Sequence, residues 1–62
     1  MWFLRAIELA DGWACRHGSH EFDRHPELQS ALDHLREIAL GLGPSVLYVH
    51  RMNGRPEVAG DA

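Results

Sequence analysis

Apolar residues recur at Leu28, Ala31, Leu32, Leu35, Ile38, Ala39 and Leu42, and a helix of 3.6 residues per turn gathers all of them into one stripe. Glu27, Gln29, Ser30, Asp33, His34, Arg36 and Glu37 fill the opposite side. The pattern predicts an amphipathic helix from Pro26 to Leu42. Proline costs nothing at the first helical position, and Gly41, Gly43 and Pro44 supply the cap and the stop. Asp23 by its chemistry, or His25 by its place before the proline, is the expected N-cap. Asp33 and Arg36, three apart on the exposed side, are expected to pair.

On either side of the helix the pattern changes to short runs of strand formers. Trp2 to Leu9 is the first, Asp11-Gly12 reads as a type I′ turn, and Trp13 opens the second. A two-residue turn there would set Ala10 opposite Trp13, Glu8 opposite Cys15 and Ala6 opposite His17. Gly18 to His25 is polar and reads as a connection. Ser45 to Met52, centred on Val46, Leu47, Tyr48 and Val49, is the third strand. Asn53-Gly54 is a second primed-turn signal, followed by Arg55 to Val58, where Pro56 permits only a short edge strand.

The expected fold is α+β: a hairpin, one helix and a third strand (ββαβ), with room for a fourth edge strand and the helix on one sheet face. One domain spans residues 1–58, and residues 59–62 are expected to fray. The hairpin has two apolar sides, with Trp2, Leu4, Ala6, Trp13 and Cys15 on one and Phe3, Ile7, Leu9 and Ala14 on the other. One helix covers one face, so the other implies a partner, most simply a second copy of the chain.

Length sharpens that expectation. A chain of 62 residues buries only about 60% of its unfolded surface, so domains of this size often add a disulfide, a metal or a partner subunit. With one cysteine an internal disulfide is excluded. The composition, 45% hydrophobic and 24% charged, is that of a chain that folds. A net charge of −3 gives no field that would draw it to phosphate backbones or anionic lipid, which disfavours nucleic acid. Arg5 and Glu8 interrupt the apolar start before a signal peptide or membrane span could form, so a soluble cytoplasmic protein is expected.

Several short motifs together carry a resemblance. Gly12-Trp13-Ala14 opens the second strand, Phe22-Asp23 closes the polar stretch, Arg36-Glu37-Ile38-Ala39 ends the helix, and Val49-His50 precedes Asn53-Gly54-Arg55. In this order they resemble DUF2188, a family of small bacterial domains of uncharacterised function. Arg24-His25-Pro26 looks like an insertion, and Cys15 stands where valine is common in that family. The resemblance implies a ββαβ fold and no particular activity. The order also resembles HicB-type antitoxins, with Ala31-Leu32 matching their helix pattern, but it lacks their proline-containing strand and glycine-threonine turn.

No catalytic or cofactor motif stands out. Cys15, His17 and His20, with His25 nearby, form the one metal-like cluster, but their spacing fits no common zinc pattern and solvent-exposed histidines are the plainer reading, so no metal is expected. Cys15 with His17 as base and Glu8 as orienter can be drawn as a triad, although a lone strand cysteine is more often a small buried hydrophobe. His50, Arg51 and Arg55 make a local basic patch around the second turn. The partner-contact candidates are therefore Trp2, Phe3, Ile7, Leu9, His50, Arg51 and Arg55. The expected role is a non-enzymatic binding or regulatory module that self-associates or binds another protein, with an antitoxin-like, nucleic-acid-associated regulator as the alternative.

Overall fold

The computed structural model describes residues 1–61. They form β1 (Trp2–Leu9), β2 (Gly12–His17), β3 (His20–His25), α1 (Leu28–Leu42), β4 (Ser45–His50) and β5 (Glu57–Asp61). The protein is α+β, and its five strands make one mixed sheet in the order β3-β2-β1-β4-β5. β1 lies at the centre, antiparallel to β2 and parallel to β4, and the outer pairs are antiparallel. The sheet exceeds the expected three or four strands because the polar stretch read as a connection is itself a strand.

The helix stripe is the core. Ala31, Leu35 and Ala39 are buried against Leu4 and Ala6 of β1, Trp13 and Cys15 of β2, and Leu47 and Val49 of β4. Leu28, Leu32, Ile38 and Leu42 pack around this centre. Period-two alternation sends Phe3, Arg5, Ile7 and Leu9 to the other face of the sheet.

The helix begins at Leu28, later than Pro26, because β3 keeps the chain extended through His25. Asp23 and His25 are opposite Cys15 and Trp13 in the sheet and do not cap the helix. Glu27 is the N-cap, with extended backbone and no side-chain cap bond. At the far end Gly43 adopts φ 99°, and its N–H donates to the Ala39 carbonyl at 3.1 Å. Arg36 and Asp33 do pair, at 3.6 Å.

Both expected I′ turns are absent. Leu9 lies opposite Gly12, so Ala10 and Asp11 are the central residues, and neither has positive φ. Glu8 therefore faces Trp13 and Ala6 faces Cys15. This is a slip of two residues, which leaves every side chain on its expected face. Gly12 serves a different purpose: a Cβ there would lie 2.6 Å from the His25 carbonyl oxygen. Asn53 and Gly54 also lack positive φ and sit in a loop across residues 51–56, closed by a bond from Gly54 N–H to the Arg51 carbonyl at 3.3 Å. The loop is tied back to β1 by the Met52 N–H, which donates to the Glu8 carboxylate at 3.0 Å. Residues 59–61, expected to fray, continue β5 opposite β4. Ala62 lies outside the described residues.

Leu35 is fully buried, so Leu35→Ala should destabilise the chain by roughly 2 to 5 kcal/mol. Leu40, 85% exposed on the same helix, should tolerate alanine within about 0.5 kcal/mol. Urea unfolding of the two variants checks this.

Candidate functional site

Two regions stand apart from the core. The first is the uncovered sheet face. Alternation brings Phe3, Arg5, Ile7 and Leu9 of β1 together with Ala14 and Arg16 of β2 and with Val46, Tyr48 and His50 of β4. Phe3 is 51% exposed, and its ring centroid lies 6.1 Å from that of Tyr48 on the neighbouring strand. Phe3, Arg5, Tyr48, His50 and Pro56 line a shallow hollow on this side. Two arginines of the face are held locally, since Arg5 donates to the Gly18 carbonyl at 3.2 Å and Arg16 to the Ser19 carbonyl at 2.9 Å. Ala14 is buried although it points away from α1, flanked by Ile7 on one side and Arg24 on the other.

The sequence-derived contact residues divide between the faces. Phe3, Ile7, Leu9 and His50 share the uncovered side. Trp2 belongs to the helix side, at its margin, with its ring 4.7 Å from that of His17. Arg51 also turns that way, its guanidinium 5.7 Å from the centre of the Trp13 ring and 3.8 Å from the Glu57 carboxylate. Arg55 is exposed in the loop. His50 and Arg51, neighbours in the sequence, therefore turn to opposite sides of the sheet.

The second region is the seam between β2, β3 and α1. Asp23 and His25 share the helix-facing side of β3, and His34 comes down from α1 to meet them. Asp23 Oδ2 is 3.1 Å from His25 Nε2 and 2.8 Å from His34 Nδ1, and the two nitrogens are 3.1 Å apart. His34 was expected on the solvent side. It is half-buried instead, because β3 extends the sheet beneath the helix flank, and Phe22 packs edge-on against its ring at 5.9 Å. Asp23 Oδ1 accepts the backbone N–H of Arg24 at 2.8 Å. That bond first, and the two imidazoles after it, hold the carboxyl below the usual carboxylate range.

Cys15 closes the group from below. Its Sγ, His25 and His34 offer ligand atoms that all lie within 4.8 Å of one another. The thiol donates weakly to the Ala31 carbonyl at 3.8 Å. Burial, and then the charge of Asp23, push it up to about 11. His17 and His20, the expected companions of Cys15, are opposite each other at the far end of the β2–β3 hairpin, with His17 against Trp2. Glu8 faces Trp13 and binds the Met52 N–H, so the Cys15-His17-Glu8 triad is not assembled.

Comparison with known proteins adds no relative. No family model, curated protein or solved structure matches this chain.

With the thiol pushed up to about 11, the thiolate at pH 8 is roughly one part in a thousand. Cys15 is also fully buried. An aromatic disulfide reagent should react with the native protein at least about a hundredfold more slowly than with the urea-unfolded chain. Comparable rates in the two states would contradict the burial.

Proposed function

We propose that this chain is a small non-enzymatic binding module that works as a homodimer, its two sheets packed through the faces that the helices leave uncovered. One observation carries this reading: Phe3, Ile7, Leu9, Val46 and Tyr48 share a continuous face on β1 and β4, and among the described residues the one helix packs on the opposite side of the sheet. Strands about 4.8 Å apart and residues about 3.3 Å long give the face roughly 24 by 20 Å, or about 480 Å², in flat projection. A stable interface needs about 600 to 1,000 Å² of accessible surface from each partner, so the whole face and the relief of its side chains would be used. A buried, unpaired cysteine suits a reducing compartment, and we place the module in the cytoplasm. Among the described residues no helix is long and apolar enough to cross a membrane.

A glutamate at the centre of such an interface would be desolvated among the apolar side chains of both copies. Ile7→Glu should therefore convert the dimer to a folded monomer in sedimentation at micromolar concentration, while Leu40→Glu on the outer side of α1 should leave it intact. A wild-type monomer under these conditions sinks the proposal.

A second reading is favoured by the Phe3–Tyr48 pair beside Arg5 and Arg16. Exposed Phe3 and half-buried Tyr48 on adjacent strands, flanked by arginine, make a platform on which unpaired bases could stack. This is the antitoxin-like, nucleic-acid-associated alternative, and the net charge of −3 counts against it. Salt-dependent binding of single-stranded RNA that is weakened at least about tenfold by Phe3→Ala would select it.

A further inference from the structure

We propose that Cys15, Asp23, His25 and His34 form a zinc-binding site that fastens β2 and β3 to α1. The donors come from three elements: ligand atoms of Cys15, His25 and His34 lie within 4.8 Å of one another, and Asp23 Oδ2 lies against both histidines, with no shared local spacing in the sequence. Sulfur, two imidazole nitrogens and a carboxylate oxygen are the donor types zinc takes, and four of them match its tetrahedral preference.

The geometry of the cluster suits a cation better than it suits protons. Asp23 Oδ2, His25 Nε2 and His34 Nδ1 form a nearly equilateral triangle with edges of 2.8, 3.1 and 3.1 Å. Each ring nitrogen has one in-plane lobe, which holds either a proton or a lone pair. It can serve one edge of the triangle well and not two. If both nitrogens carry protons, both aim at the same oxygen and crowd each other. If one does not, its lone pair faces the carboxylate. A cation near the triangle takes a lone pair from all three corners at once. Ligands about 2.0 to 2.1 Å from a tetrahedral zinc lie about 3.3 to 3.4 Å apart, so the triangle has to widen by only a few tenths of an ångström. The Cys15 sulfur, within 4.8 Å of ligand atoms of both histidines, has to move inward to supply the fourth corner.

The surroundings resemble those of built metal sites. The Arg24 N–H on Asp23 Oδ1 fixes the carboxylate so that Oδ2 faces the histidines, which is the outer-shell support that ligating groups commonly have. Phe22 lies edge-on against His34 and Cys15 is fully buried, so the inner side is apolar. Asp23, His25 and His34 are only half-buried, which leaves an entry path from solvent. On binding, the Cys15 thiol gives up its proton to solvent and the thiolate sulfur bonds the ion. The ion's charge offsets the cost of holding that thiolate in an apolar setting. The site is structural in character: all four corners come from protein, which leaves no open position for a substrate.

The test uses the full chain, stripped of metal and titrated with Zn²⁺ against a chromophoric chelator, and with Co²⁺ as a spectroscopic stand-in. The expected result is one ion per chain and a tetrahedral Co²⁺ spectrum with a thiolate charge-transfer band. At free zinc about a hundredfold above Kd, the melting temperature should rise by on the order of 10 °C. His34→Ala, on the half-exposed flank, and Asp23→Asn should each weaken zinc at least about tenfold, and Cys15→Ala should abolish the charge-transfer band. The double variant His17→Ala with His20→Ala should bind like the wild type. Each variant is first shown to be folded by circular dichroism. Absence of stoichiometric zinc at micromolar concentration overturns the proposal. So does uptake that survives His34→Ala and Asp23→Asn combined, or that is lost with His17 and His20.

Discussion

The structure depends on one geometric constraint: a single helix has one apolar stripe and can cover one face of a sheet. Leu35 sits at the middle of that stripe, fully buried with Leu4 and Leu47 of the two central strands. Around this contact the small residues Ala6, Ala31 and Ala39 let the helix approach the sheet closely, and Trp13 and Val49 fill the flanks. In a chain this short there is little else to bury. The sheet's other face is left to the surroundings, and its apolar side chains follow from the same shortage of covering elements.

The helix was legible because its period is long and regular, and both of its faces are visible in the sequence. The segregation of Leu4, Ala6, Trp13 and Cys15 from Phe3, Ile7 and Leu9 was legible for the same reason, and it survived an error in the first turn because that error was an even number of residues. β3 was missed because Phe22 is its one strong strand former among charged and polar neighbours. Edge strands commonly carry such residues, which discourage pairing with other chains. A signal was present at its start. Gly18-Ser19 lies between the paired His17 and His20, and Gly18 has φ 61°, the pattern of a II′ hairpin turn.

Missing β3 also hid the cluster at the seam. Metal patterns are sought as donors a few residues apart, and Cys15, His17 and His20 fit that search better than Cys15, His25 and His34 do. Strand pairing places Asp23 beside Cys15, and one more alternation places His25 on the same side. His34 could be read as exposed only while nothing was expected beneath its side of α1. Once β3 widens the sheet, that flank of the helix has a floor, and a residue counted among the polar positions becomes a contact.

The central position of β1 also bears on how the chain is made. β1 is synthesised before either of its neighbours in the sheet and gains its antiparallel partner β2 almost at once. Its parallel partner β4 begins at Ser45, after the second hairpin and the whole helix have been synthesised. Until then one edge of the most apolar strand has unpaired N–H and C=O groups. Because the parallel pairing joins strands separated by β2, β3 and α1, the centre of the sheet cannot close until β4 has been made. A nascent chain stalled short of Val49 would present a sticky open edge to whatever lies near the exit tunnel.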